Sequence, residues 1–224
     1  RILSREDHWE FLMPSDFAGP TELLTNFASE VRAFRREDPL SLTLELNAAM
    51  YSAFEYVPKH THVNSPIDHA LADRKGVCQD FAHIMIALLR GLHIPARYVS
   101  GYLFHGEKHQ DRSAAGASHA WVEAMLPGLG WVGFDPTNNL VAGGRHIRTA
   151  IGRDYSDVPP TRGTFRGGAQ SELDVLVRVT NTDAPMMEDP AKELLFNSNP
   201  PVFGERISPL DEALAQQQQQ QQQQ

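Results

Sequence analysis

The sequence predicts an α+β fold with its helices first and its strands after them. The hydrophobic period changes from helical spacing to alternation near residue 95, and the change is marked by a turn with one Gly and one Pro, "GLHIPA". Ahead of that point, Pro and polar residues punctuate long amphipathic runs. Beyond it, short alternating segments follow one another through tight turns.

Residues 1–18 read as an arm or the remnant of a preceding strand. In "GPTELLTNFASEVRAFRRED", Leu23, Leu24, Phe27, Val31 and Phe34 recur at helical spacing, with Pro20 near the start. "DPLSLTLELNAAMYSAFEYVP" reads as a second helix, capped by Asp38, opened by Pro39 and ended by Pro58. "SPIDHAL" starts a short third helix with Ser65 as N-cap. The fourth, 78–90, is apolar nearly all round, which predicts a central, buried helix with Gly91 at its C-cap. Strands are predicted at 96–104, 119–126, 131–137 and 172–180. Two loops join them: a polar one at 105–118 and a long Gly/Pro/Arg stretch at 138–170. The chain thus divides into an arm (1–18), a core (19–180) and an extension (181–224). That extension ends in nine glutamines, expected to prolong a helix begun at Ser208 or to lie disordered.

Composition limits the function classes. Hydrophobic residues make up 41% of the 224, enough for a real core. The net charge of −8 and the lack of a Lys/Arg cluster argue against nucleic acid, and the field mildly favours neutral or basic partners. No apolar run is long enough to span a membrane, so no membrane partner is predicted. A single cysteine excludes an internal disulfide and fits a reducing compartment, the cytoplasm. The chain starts at Arg1, not Met, so any address on a preceding segment is lost to this reading.

That cysteine, Cys78, opens the fourth helix. A thiol there is either a small buried core residue or a nucleophile. A helix N-terminus favours the thiolate, and its free N–H groups can hold an oxyanion. Among ten histidines, His83 lies five residues along the same helix, turned away from Cys78, and reads as a core or surface residue. His119 begins an alternating strand after a loop of small residues, where a side chain can emerge into a cleft. Asp135 ends the next strand in an apolar segment, where a buried carboxylate needs a partner; otherwise it is the turn initiator of an Asp-Pro pair. Strand parity makes a demand on these two. If the "PGLG" turn pairs Leu126 with Trp131, Asp135 lies on the face His119 avoids. If Met125 pairs with Trp131, Asp135 falls opposite Trp121, diagonal to His119 and within reach. A working His–Asp pair therefore requires the second register.

Three stretches, "GVCQDFAHIMIALLRGLHIPARYVSGYL", "SHAWVEAMLPGLGWVGFDPTNN" and "GRDYSDVPPTRG", resemble the transglutaminase-like superfamily, in particular its bacterial cysteine-protease branch. The resemblance covers roughly residues 38–180. It implies a papain-like core, with a Cys on a helix N-terminus packed against an antiparallel sheet that carries His and Asp. It assigns Cys78 as nucleophile, His119 as base and Asp135 as orienter, and it makes residues 1–18 the last strand of a β-rich domain. It also implies a second oxyanion donor upstream of the Cys. Tyr56 is the candidate, with Gln79 its rival.

The expected chemistry is thiol acyl transfer on a peptide or protein amide through a thioester, with water or an amine as acceptor. The alternative is a binding module that keeps the fold without catalysis. No cofactor is expected: no calcium loop is visible, and a metal centre at His60, His62 and His69 is the least favoured reading.

Overall fold

In the computed structural model of the chain, the described residues are 8–106, 110–113, 116–159 and 177–180. The helices are α1 (Glu22–Glu30), α2 (Pro39–Ala53), α3 (Ile67–Asp73) and α4 (Cys78–Gly91). Two-residue strands β1 (Glu55–Tyr56) and β2 (Lys75–Gly76) pair in parallel. The main sheet contains β3 (Ala96–Leu103), β4 (His119–Leu126), β5 (Gly130–Asp135), β6 (Leu140–Val141) and β7 (His146–Gly152), in the order β6-β5-β4-β3-β7, antiparallel throughout. This is the α+β arrangement that the sequence predicts, helices first and an antiparallel sheet after them.

α4 is the central element, as its composition demands. Phe81, Ile84, Met85, Ile86 and Leu89 are fully buried along it. Ala120, Val122, Ala124 and Leu126, the alternate residues of β4, join the same core. These residues are mostly small or β-branched, and α4 packs directly against β4 and β3. α1, α2 and α3 also contact α4, so the helix lies between two layers.

Local chemistry moved several boundaries. α1 stops at Glu30 because Arg32 turns left-handed (φ 53°) and Ala33 N–H bonds back to the Ala28 carbonyl, a Schellman closure. Phe34, expected on the buried stripe, is therefore exposed. α2 ends at Ala53, well before Pro58. Phe54 turns extended, and Glu55 and Tyr56 pair with Lys75 and Gly76 instead. Asp38 caps α2 as expected, accepting from Leu40 and Ser41 N–H. Ser65 is not the cap of α3: Pro66 holds that position, and the Ser65 hydroxyl accepts the His62 N–H. At the end of α4 the left-handed residue is His93 (φ 60°), two positions beyond Gly91.

The stretch 138–170, expected as one long loop, contains β6 and β7. β7 pairs with the outer side of β3, with a register shift between Ser100 and Gly101. A Cβ at Gly101 would strike the Ile147 carbonyl oxygen and the Trp121 ring, so only glycine permits this approach. No strand lies in residues 8–18, where Trp9–Phe11 form a 3₁₀ turn. The strand expected at 172–180 falls mostly outside the described residues, and 177–180 show no pairing. The glutamine run and the Ser208 helix lie wholly outside them.

Candidate active site

Cys78 is the first residue of α4 and is half-buried. The turn that aims it is built by Asp80, which reaches back to accept the Val77 N–H at 2.8 Å and the Thr61 hydroxyl at 2.5 Å. A Cβ on Gly76 would lie 2.7 Å from the Asp80 carboxylate, which explains a glycine two residues before the cysteine. Burial pushes the Asp80 carboxyl up to about 6 against the pull of Thr61 and the Val77 N–H.

β4 and β5 take the register that a His–Asp pair requires. Met125 pairs with Trp131 and Val122 with Phe134, so Asp135 falls opposite Trp121. His119 Nε2 lies 2.8 Å from Asp135 Oδ2, with both residues buried. The carboxylate is satisfied five times over. Oδ2 also accepts from Asn138 Nδ2 (2.8 Å) and faces His146 Nε2 (3.1 Å), and Oδ1 accepts the Thr137 and Asn138 N–H groups. Burial would raise the Asp135 carboxyl, but the charge and hydrogen bond of His119, with those from His146 and Asn138, hold it well below the usual carboxylate range. Conversely, burial would lower His119, and the Asp135 charge and hydrogen bond followed by the Cys78 thiol outweigh it, so His119 is raised. Because an ionised carboxylate only accepts, His119 carries its proton on Nε2. Nδ1 is buried and makes no ordinary hydrogen bond. Cys78 is the thiol that acts on this imidazole. The Trp121 ring stacks over His119 at 6.1 Å.

Sequence reasoning named Cys78, His119 and Asp135: His119 and Asp135 meet in a hydrogen bond, and Cys78 at the start of α4 lies within electrostatic reach of His119. It missed Asn138 and His146. Asn138 joins Asp135 to the preceding loop: its Oδ1 accepts the Arg112 and Ser113 N–H groups, and Nδ2 also donates to the Ser113 hydroxyl. The "DPTNN" Asn three residues after Asp135 was the available signal. Tyr56, in β1, sits opposite Gly76 and so close in the fold to the start of α4. Gln79 is buried and its amide nitrogen donates to the Val63 carbonyl at 2.7 Å. It ties down a loop, which counts against it as the oxyanion donor.

His60, one of the proposed metal ligands, pairs instead with Asp73 at 3.0 Å. Among the described residues, the group close enough to share an ion is His119, Asp135 and His146. Its oxygen is already taken by the Asn138 amide, a donor that a cation would have to displace. None of the described helices is long and apolar enough to cross a membrane.

The sequence profile of the Transglutaminase-like superfamily matches residues 27–136. An uncharacterized protein of Mycobacterium leprae is 42% identical over 131 residues, 58% of this chain and 46% of that protein. The protein-glutamine gamma-glutamyltransferase of Pseudomonas aeruginosa is 30% identical over 120 residues, 49% of this chain and 17% of its own length. The crystal structure of a Cytophaga hutchinsonii protein, named a "putative cysteine protease", superposes with a TM-score of 0.56 at 34% identity, over 68% of this chain and 49% of that one. The chain thus spans about half the length, or less, of these relatives. On the profile match, the relatives and the shared fold, the chain belongs to the transglutaminase-like superfamily.

Proposed function

We propose that the chain is a cysteine-dependent acyl-transfer enzyme acting on amide bonds of a peptide or protein. The observation that carries this reading is the state of His119. One ring nitrogen is held by Asp135, and the other is buried, unpartnered and under the influence of Cys78. That is the arrangement a general base needs.

Cys78 Sγ gives its proton to His119 Nδ1, the raised imidazole keeps it in a thiolate–imidazolium pair, and the thiolate attacks the amide carbon. The carbonyl π bond opens to an oxyanion at the α4 N-terminus, where the first N–H groups have no helical partner. Tyr56 is the proposed second donor. The C–N bond then breaks, His119 Nδ1 returns the proton to the leaving amine, and a thioester remains. Water or a primary amine attacks it, giving the acid or a new amide and regenerating the thiol. Asp135 keeps the proton on Nε2 and supports the imidazolium.

The name and 30% identity of the Pseudomonas relative support an amine acceptor, and those of the Cytophaga relative support peptide hydrolysis. The test is a glutamine-containing peptide incubated with and without a primary amine. Ammonia release with amine incorporation indicates transfer. Ammonia release alone indicates an amidase, and backbone cleavage a peptidase. No turnover, together with a Cys78 that resists electrophiles, would instead support a binding module.

A further inference from the structure

His146 has no part in the reaction written above, yet it shares an oxygen with the proposed base. It opens β7, the strand that lies on the far side of β3 from β4, and its ring is nearly fully buried. Its Nε2 lies 3.1 Å from Asp135 Oδ2, the same atom that holds His119. The rest of the ring fixes what that contact is. Gly143 N–H donates to His146 Nδ1 at 3.3 Å, so Nδ1 is bare and Nε2 carries the hydrogen. Trp121 meets the His146 ring edge-on at 5.2 Å while stacking over His119, so one indole sets the tilt of both imidazoles.

We infer that His146 is a positioning residue for the Cys78–His119 pair: its Nε2–H holds Asp135 Oδ2 in place, so that the carboxylate keeps the His119 ring turned with Nδ1 toward the Cys78 thiol. The inference rests on the acyl-transfer reading above. A carboxylate with fewer donors is more basic and freer to rotate. Without His146, Asp135 would make His119 slightly more basic but hold its ring less firmly, and the lost alignment of Nδ1 with the Cys78 thiol outweighs that gain. A metal ion shared by the two histidines is less favoured, because Asn138 already donates to the oxygen it would need.

Cys78 is the single cysteine of the chain, so alkylation reads this site without a known substrate. The titratable groups around the pair are Asp135 and His105 beside His119 and Tyr98 beside Cys78, with His105 bound to Asp111 at 3.2 Å and Asp111 to Arg145 at 2.8 Å. They are unchanged in the variants. His146→Phe keeps a ring against Trp121 and removes the donor, while His146→Gln restores an N–H at nearly the same reach. The rate of iodoacetamide alkylation is followed from pH 5 to 9. Part of the loss of a hydrogen bond to a charged group should reach the thiol, so alkylation at pH 6 is expected to fall about tenfold in His146→Phe. His146→Gln should stay within about threefold of the parent on the same scale.

A His146→Phe profile that superimposes on a parent reactive at pH 6 overturns the inference and leaves the acyl-transfer reading standing. A parent unreactive at pH 6 overturns both. Should the phenylalanine variant fail to fold, the imidazole ¹⁵N pattern of the parent decides. Hydrogen on Nε2 with a bare Nδ1 supports the role, and hydrogen on Nδ1 overturns it.

Discussion

The protein buries two His–Asp neighbourhoods, and they are built in opposite ways. At the mouth of α4, His119 gives one nitrogen to a carboxylate and keeps the other free. Along the same helix, His83 lies between the rings of Phe17 and Tyr98, and its Nε2 accepts the Tyr155 N–H at 3.1 Å. Burial, set against the nearby Asp154 charge, takes His83 down to about 3. Its nearest carboxylate is spent elsewhere, accepting from Phe17 N–H, Ser156 N–H and the Ser156 hydroxyl. Arg90 completes that region by donating to the carbonyls of Phe11, Ala96 and Arg153 and to the Ser15 hydroxyl. Both histidines are buried, so burial does not separate a reactive histidine from a structural one. The difference is which nitrogen carries the proton, and whether any capacity for hydrogen bonding is left over.

The sharpest way to break this comparison is to remove one carboxylate from each region. Asp135→Asn should reverse the His119 tautomer and lower kcat/KM by about 10³-fold or more, as expected when the orienting acid of a triad is lost. Asp154→Asn should change kcat/KM by no more than a few-fold while lowering the melting temperature. Equal effects on turnover would contradict the division of labour.

Arg90 tests the structural side alone. Arg90→Met keeps the aliphatic stem but abandons four acceptors, the buried Ala96 carbonyl among them. Denaturant unfolding should show a loss of about 3–5 kcal/mol, the range for removing one partner from a buried charged network. Alkylation of Cys78 in the folded fraction should stay near the parent rate.

Smaller effects follow from pH. Asp80 is raised to about 6 in the folded chain, so as pH climbs from 4 the unfolded state loses its proton first and stability falls. Asp80→Asn keeps the acceptor for the Val77 N–H without the charge. Its stability relative to the parent should improve by about 2 kcal/mol between pH 4 and pH 7. His83 runs the other way. As pH drops below 6.5 the unfolded histidine binds a proton that the folded one refuses, so stability falls. His83→Phe should gain about 2 kcal/mol on the parent between pH 7 and pH 5. Urea titrations at each pH read both.

How far the two regions were legible in the sequence differs for physical reasons. α4 was readable because it is apolar on every side. The β4–β5 register was not itself readable, but parity is absolute, so the sequence could state which of two registers a His119–Asp135 pair requires: a one-residue slip turns every side chain over. β7 was not readable. It is an edge strand whose Ile147 and Ile151 are largely exposed, so burial imposes no alternation on it. The β-branched series Ile147, Thr149, Ile151 was the weak signal present, and missing it hid His146. The premature end of α1 and the loss of Ser65 as a cap came from backbone closures that side-chain spacing does not report.

The measurement that tests the central claim most directly is the rate of single-site alkylation of Cys78 at pH 6, followed by intact mass, in the parent and in Asp135→Asn. A thiol activated through His119 and Asp135 already reacts at pH 6 in the parent and loses most of that rate when the carboxylate becomes an amide. A parent thiol that reacts only near pH 8.5, as an unassisted cysteine does, with an Asp135→Asn profile identical to it, would contradict the account.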